Sequence, residues 1–456
     1  MLPTTFCARS IETIDTQWQA VFNDYWPAYK AWYGQKKRAD INPAELRQAQ
    51  RQLLAVMPEM QPLYERFLEA SNDCPVAAQF LTGHQPPAYL VSCSQAVLLN
   101  EEPLLIRNYD LSPDISENLV TQSNWLGQEI IGTNECLWGL NDGMNTSGLV
   151  ASLTFGGSNK VGKGFGIPFI MRYVLQTCGN VRQAIKVLQR VPSHMAYNVT
   201  LVDRQGDFAT VMLVPDQPAI VTRERCITNH QTQVTWPQQA VFSKTVERKQ
   251  FLDELLAGKK IKEPQLRSAF LAAPLLSGNY QQQFGTVYTA VYKPLSGTMS
   301  YNWPGEKAWQ HSFADFKASD KTVSLGKPAG LKVQENVTVV PANPTPYVES
   351  DYNLPASTRQ QLLQSLVYLP ASVVGQPEAL ETLKQRLRSE KSFCWKDYAD
   401  QVARVWHYPV HSVCRPPAGR SAFRRHPGVS ICGYALSART APNSASCRTP
   451  VSALKI

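Results

Sequence analysis

Ser92-Cys93-Ser94-Gln95-Ala96-Val97-Leu98-Leu99-Asn100-Glu101-Glu102-Pro103-Leu104-Leu105-Ile106-Arg107-Asn108-Tyr109-Asp110 is the stretch on which the reading of this chain turns. Two apolar runs flank the turn-forming residues 100–103, the pattern of a β-hairpin closed by a four-residue loop. Pairing Leu99 with Leu104 sets Cys93 opposite Asp110. Directly opposed side chains share a face, with Cβ atoms about 5 Å apart, so a thiol and a carboxylate are brought together. Arg107, by the same arithmetic, points to the other face, and a bulge or the strand's end is needed to bring it to the sulfur. A guanidinium there favours the thiolate, the nucleophilic form. The flanks of Cys93 are small and polar, unlike those of a cysteine that only fills a core.

The chain has 456 residues, 43% hydrophobic and 18% charged, a globular composition long enough for about two or three domains. No run approaches the roughly 18–20 apolar residues of a membrane helix. Met1-Leu-Pro-Thr-Thr-Phe-Cys-Ala-Arg9 has no apolar core of a secretory signal. The setting is read as cytoplasmic, and the sequons at Asn145, Asn198 and Asn336 as unused. Ten cysteines are scattered with no Cys-x-x-Cys, which argues against a zinc ribbon, a thioredoxin-type site or a disulfide scaffold. Neither metal nor cofactor is expected. The formal charge of +9 misleads, because residues 411–456 hold seven Lys/Arg and no acid. The remainder has 38 basic and 36 acidic residues and no nucleic-acid stripe.

Along the chain, residues 11–33 carry Trp18, Val21, Phe22 and Tyr25 at helical spacing. Asn42-Pro43 opens a second helix, and 59–70 reads as a third. Pro86-Pro87 ends this helical region. Beyond the hairpin, 119–131 is ambiguous and 138–148 reads as turn-rich. Residues 149–155 form a strand, 156–166 a Gly-rich loop, and 167–177 and 181–190 helices. Strands follow at 197–202 and 208–213, and another ends at Ile227. Residues 242–257 are helical, 285–292 a strand, and 300–316 aromatic-rich. Elements come in blocks, which favours α+β over a doubly wound parallel sheet. Residues 326–348 read as a linker and 358–367 and 378–405 as helices. The stretch 411–456, rich in Arg, Ser, Pro and Cys, cannot bury a core and is read as disordered, the product of a shifted reading frame rather than a binding tail.

Cys93-Ser94 followed across a hairpin by Arg107-Asn108-Tyr109-Asp110 resembles the N-terminal-nucleophile (Ntn) cysteine amidohydrolases. These include the choloylglycine hydrolases, penicillin V acylase and the acyl-CoA:6-aminopenicillanate acyltransferase family (peptidase family C45). Asn141-Asp-Gly-Met-Asn-Thr-Ser-Gly-Leu149, Thr154-Phe-Gly-Gly157, Asn198-Val-Thr-Leu-Val-Asp-Arg-Gln-Gly206 and Thr228-Asn229-His230 are similar to further family segments, in order, over residues 80–315. The long stretch before Cys93 fits the C45 branch.

The resemblance implies an α+β Ntn-hydrolase fold, a four-layer αββα sandwich, with its catalytic core at 93–325. A helical pro-segment at 1–92 would precede it, and a linker and helical extension at 326–410 would follow. It implies autocatalytic cleavage between Ser92 and Cys93, after which the new α-amine of Cys93, with a pKa of about 8, accepts the thiol proton. Asp110 would hold that amine and Arg107 the thiolate. Asn229 would donate to the oxyanion, and Arg248 would be a second active-site arginine. The sequence departs from the family at Ser92, where the acyltransferases have glycine. The implied activity is hydrolysis or transfer at a carboxamide. The implied partner is a small-molecule amide or acyl donor, with no nucleic acid and no membrane; homo-oligomerisation is left open.

Three alternatives compete. Gly157-Ser-Asn-Lys-Val-Gly-Lys-Gly164 is one residue from a P-loop, with Gly164 where a Mg²⁺-ligating Ser/Thr belongs; a strand ending at Asp203 would complete it as a nucleotide site. His84, His194 or His230 pairing with a cysteine would make a papain-like dyad, and a non-catalytic binding homologue is the remaining reading.

Overall fold

The computed structural model describes residues 2–36, 41–72, 74–89, 91–257, 261–280, 284–326 and 377–389. The chain divides into two compact units, 1–331 with 428–456, and 332–427. In the second, the described part is a helix, Pro377–Ser389, whose Leu380, Leu383 and Leu387 are buried along one stripe. The expected linker at 326–348, the helix at 358–367 and the 411–456 tail lie outside the described residues, apart from Gly326.

Two sheets organise the first unit. The larger runs in the order β10 (Ile220–Thr222), β9 (Phe208–Leu213), β8 (Tyr197–Asp203), β7 (Leu149–Phe155), β6 (Gly139–Asn145), β5 (Ile130–Glu135), β4 (Leu119–Ser123), β1 (Leu2–Ser10), β15 (Ser319–Leu325). The smaller runs β11 (Cys226–Ile227), β2 (Ser92–Leu99), β3 (Pro103–Leu111), β12 (Gly285–Lys293), β13 (Thr298–Asn302), β14 (Trp309–Ser312). Every pairing is antiparallel except β1 with β4. The sheets meet where β2 and β3 lie against β7 and β8. Helices α5 (Ile167–Thr177) and α6 (Val181–Arg190) cover the larger sheet, and α8 (Thr245–Ala257) and α9 (Glu263–Phe270) the smaller. The blocks of strands and helices in the sequence thus become an α+β layered unit. Among the described residues no helix is long and apolar enough to cross a membrane.

Among the described residues before 92, four α-helices form: α1 (Thr16–Lys36), α2 (Pro43–Val56), α3 (Gln61–Ala70) and α4 (Pro75–Leu81). Asn42 caps α2 by accepting from the Ala44 amide at 2.9 Å. Trp18, Phe22 and Tyr25 are buried, as their spacing requires. The mostly helical reading of this region does not extend to residues 2–10, which form β1. This strand pairs on both sides, with β4 and β15, and buries Phe6, Cys7 and Ala8. Phe6, Cys7 and Ala8 are buried in succession, so the stretch shows no clean two-residue alternation to read.

Residues 138–148 were expected as turns, yet most of them form β6. Its glycines answer to packing. A Cβ on Gly139 would stand 2.5 Å from Pro168, and one on Gly143 would stand 3.0 Å from Leu175, both on α5. The helix leaves no room for a side chain at 139 and little at 143, where the strand carries glycine instead of a β-former. Gly139→Ala would also meet the Glu135 carbonyl oxygen at 2.7 Å and is expected to cost about 1–3 kcal/mol. Gly34→Ala, in exposed helix with nothing within 4 Å, is expected to stabilise by up to about 1 kcal/mol. Urea unfolding of both variants checks this; equal effects would refute the packing account.

Candidate active site

The hairpin pairs Leu99 with Pro103, so its loop is Asn100–Glu102 and the register is one residue from the expected one. Pro103 closes the ladder instead of the turn. Because side chains alternate with period two, a one-residue slip exchanges the faces of one strand relative to the other. Cys93 stands opposite Tyr109, Ser92 opposite Asp110 and Gln95 opposite Arg107. Arg107 therefore shares the face of Cys93 without a bulge, and Asp110 shares the face of Ser92.

On the face between the sheets, Arg107 Nη2 donates to Cys93 Sγ at 2.9 Å. Its Nη1 donates to the Asn141 carbonyl at 3.0 Å and to Asp142 Oδ2 at 2.6 Å. Asp142, on β6, also accepts from Thr133 at 2.8 Å, from Tyr288 at 2.6 Å and from Tyr292. The arginine lies over the Tyr109 ring at 4.9 Å. Cys93, Arg107 and Asp142 are all fully buried. Burial pushes the thiol up to about 11, against the pull of Arg107. Cys93 is therefore a neutral thiol beside a cation, and a neighbouring cation favours the thiol's anion. Asp142 is a site residue that the sequence reading missed; the turn assignment of Asn141-Asp142-Gly143 hid the alternation that turns it inward.

On the face toward α8, Arg248 Nη1 donates to the Cys93 carbonyl at 2.8 Å, to Ser94 Oγ at 2.7 Å and to Asp110 Oδ2 at 3.4 Å. Its Nη2 donates to Ser92 Oγ at 2.9 Å and to Asn229 Oδ1 at 2.7 Å. Asp110 also accepts from Thr286 at 2.7 Å. Burial raises the Asp110 carboxyl against Arg248, and burial lowers the Arg248 guanidinium against Asp110.

Asn229 ties the two faces together. Its Oδ1 accepts the Cys93 amide at 3.0 Å and the Ser92 hydroxyl, while its Nδ2 donates to the Phe155 carbonyl at 3.3 Å. All five expected residues thus converge on the Ser92–Cys93 peptide, with two geometric corrections. Asp110 faces Arg248 and Thr286, and it is Asn229 that holds the Cys93 nitrogen. The Asn229 NH₂ group is turned toward Phe155.

The Gly-rich loop props up Asn229. Gly157 has φ +72°, and a Cβ there would lie 2.3 Å from the Asn229 carbonyl oxygen, so only glycine fits. The P-loop reading fails on topology, since β7 pairs antiparallel with both β6 and β8. The loop amides are also committed: Gly162 donates to His194 O at 2.8 Å, Lys163 to Asp216 at 3.1 Å and Phe165 to Pro192 O at 2.8 Å. Asp203 caps its own turn through the Gln205 and Asp207 amides. His230 Nδ1 pairs with Thr245 Oγ1 at 2.8 Å, and His194 Nδ1 with the Phe165 carbonyl at 3.1 Å. Among the described residues no cluster of His, Cys, Asp or Glu could hold a metal. Asn145 and Asn198 are buried and bonded through their amides. A cavity of about 490 Å³ opens beside Ser92, Asp110 and Arg248, with Phe242, Lys244 and Phe284 on its walls.

Residues 98–308, just under half of the chain, match the family described as acyl-coenzyme A:6-aminopenicillanic acid acyl-transferase. The resemblance drawn from the motifs is thus shown over a segment that contains Arg107, Asp110, Asn229 and Arg248 and begins after Cys93. Among solved structures, a variant of the conjugated bile acid hydrolase from Clostridium perfringens is 12% identical, with 51% of this chain and 96% of that one covered and a TM-score of 0.38. Penicillin V acylase from Agrobacterium tumefaciens is 14% identical, covering 50% and 90%, with a TM-score of 0.33. The Caenorhabditis elegans ortholog of N-acylethanolamine-hydrolyzing acid amidase is 16% identical, covering 44% and 93%, with a TM-score of 0.34. No curated protein matches.

Asp142→Asn removes the charge that balances a fully buried guanidinium and should cost about 3–5 kcal/mol. Denaturant unfolding of the variant in a Cys93→Ala chain reads this directly; a change under about 1 kcal/mol would mean that the pair is not the buried one described.

Proposed function

We propose that this chain is a cysteine Ntn hydrolase acting on carboxamide C–N bonds through a Cys93 thioester, after cutting itself between Ser92 and Cys93. The observation that carries the reading is the 2.9 Å contact of Arg107 Nη2 with Cys93 Sγ, at the residue whose peptide nitrogen Asn229 holds. The family match over 98–308 supports it.

In maturation, Cys93 Sγ adds to the Ser92 carbonyl carbon and the thiol proton passes to the amide nitrogen. The C–N bond breaks, and the acyl chain moves from nitrogen to sulfur. Water then adds to the thioester, Ser92 leaves as a carboxylate terminus and the sulfur regains its proton. Arg107 stabilises the sulfur anion on both passages. The freed α-amine, with a pKa of about 8, then serves as the base for its own thiol. Asn229 Oδ1, already on that nitrogen, takes the amine-holding role expected of Asp110, and Asp110 orients Arg248. An oxyanion role for Asn229, of a kind worth about 3–4 kcal/mol, requires its amide to turn from the Phe155 carbonyl to the substrate.

The acyl-enzyme is resolved by water in hydrolysis or by an amine in acyl transfer. The cavity beside Ser92 is the proposed acyl-side pocket, since Ser92 is the first acyl group the thiol receives. Residues 1–92 would become a short chain that stays attached, because β1 is bonded into the larger sheet.

Intact-mass measurement tests the proposal. The wild type is expected to run as two pieces under denaturing conditions, split between Ser92 and Cys93, and to co-elute as one particle natively; Cys93→Ala is expected to stay whole. A wild type that is both uncut and inactive on amides ends the reading.

A further inference from the structure

Outside the catalytic contacts, two buried glutamates meet on one phenol. Tyr29 OH lies 2.6 Å from Glu117 Oε1 and 2.8 Å from Glu135 Oε1, and it accepts the Cys136 amide at 2.9 Å. A phenol has one proton to give, so it can satisfy only one carboxylate. The other must carry a proton of its own and donate it to the Tyr29 oxygen.

The remaining donors say which. Glu117 also accepts from the Leu137 amide at 3.0 Å and from Asn134 Nδ2 at 2.7 Å. Glu135 accepts from Asn141 Nδ2 at 2.9 Å and from Tyr109 at a longer 3.3 Å. Glu117 is the better solvated by the protein and is the anion; Glu135 is the acid. Counted so, Tyr29 gives one hydrogen bond and receives two, and is saturated. The backbone is bent to the same end. Cys136 and Leu137 both take positive φ, 58° and 73°, unusual for such residues. The bend aims their successive amides at the phenol and at Glu117.

We propose that Glu117 and Glu135 hold a single proton between them across Tyr29, and that the neutral Glu135 so formed is a positioning residue for Arg107. The path is short. Glu135 fixes Asn141 and Tyr109; the Asn141 carbonyl accepts from Arg107 at 3.0 Å, and the Tyr109 ring lies under the guanidinium. The proposal rests on the reading of Cys93 as the nucleophile for its consequence, though not for the shared proton itself.

Other charged and titrating groups face this cluster. From α1 there are Tyr25, bonded to the Glu117 carbonyl at 2.9 Å, and Asp24; Arg9 comes from β1. Arg107 and Tyr109 belong to β3, and the Cys136 thiol lies beside the glutamates. Arg172 of α5 reaches Asn134 at 3.5 Å. Burial raises both glutamates, and burial together with the Glu117 charge takes Glu135 to about 8. A carboxyl raised in the fold contributes stability that is full below its ordinary pKa, near 4.5, and lost as pH rises to about 8. Above that, a second buried negative charge sits two hydrogen bonds from Arg107 and weakens its support of the thiolate.

Two measurements test this. First, the full-length Cys93→Ala chain at neutral pH is expected to show the infrared carbonyl band of a buried carboxylic acid. Glu135→Gln, which keeps a donor for Tyr29 and an acceptor for Asn141, should lose it. An absent band, or one untouched by E135Q, overturns the shared proton whether or not the chain cuts itself. Second, in freshly synthesised precursor the ratio of the E135Q to the wild-type self-cleavage rate should rise about tenfold between roughly pH 7 and pH 9, as a group near 8 loses its proton. A ratio flat across that range assigns Glu135 a structural part alone and overturns the positioning role. A wild type that never cleaves overturns the maturation reading and this role with it, while the infrared band still decides the proton.

Discussion

A guanidinium shut away from water is the constraint around which the rest of this molecule is arranged. Arg107 lies on the smaller sheet and its counter-charge, Asp142, on the larger, so the pair can form only when the two sheets are fully docked. Neither charge could be buried alone. The three hydroxyls that converge on Asp142, from Thr133, Tyr288 and Tyr292, spread the remaining cost over both sheets. Nη1 is taken up by Asp142 and the Asn141 carbonyl, and Nη2 points at a thiol. The closed chain thus holds a cation in place before there is any anion for it to stabilise, which is the form that electrostatic preorganisation takes.

The hairpin that delivers the thiol was legible in the sequence; its register was not. Apolar runs around a turn gave the two strands, but Pro103 could be counted either in the loop or in the last pair. That choice decides the face on which Arg107 and Asp110 fall. Side-chain parity contained a warning: with Pro103 in the loop, the arginine pointed away from the sulfur. The observed register removes that conflict and moves it to Asp110, which stands with Ser92 and Arg248 instead. Convergence of Cys93, Arg107, Asp110, Asn229 and Arg248 was readable from motif resemblance. The division of labour among them was not, because it depends on which face of each strand is presented.

Elsewhere the limits of the sequence have separate physical causes. Strand β6 looked like turns because α5 presses on it closely enough to leave no room for a Cβ at 139 and little at 143. Strand β1 was not legible because Phe6, Cys7 and Ala8 are buried in succession and break the two-residue alternation. The near-P-loop was real as a glycine pattern, but its glycines serve close approach, above all of Gly157 to the Asn229 backbone. Glu117 and Glu135 carried no signal at all. Two glutamates separated along a chain read as solvated charges, and only a phenol from a distant helix makes them one buried unit.

That phenol bears on how tightly the N-terminal stretch is joined to the rest. Trp18 donates to the Leu137 carbonyl at 3.1 Å, Tyr25 to the Glu117 carbonyl at 2.9 Å, and Tyr29 bridges the glutamates. All three contacts fall at one end of the β4–β5 pair, where β4 begins after Glu117 and β5 ends at Glu135. Together with β1 they make residues 2–81 a wall of the same core, not a cap laid over it. A bond broken between 92 and 93 would leave these contacts untouched. A pro-segment that only blocked the site would need a weak interface so that it could leave. Residues before 92 instead bury Trp18, Tyr25 and Tyr29 against Leu137, Glu117 and Glu135, the end of the strand pair from which Glu135 reaches Asn141 and Tyr109 beside Arg107.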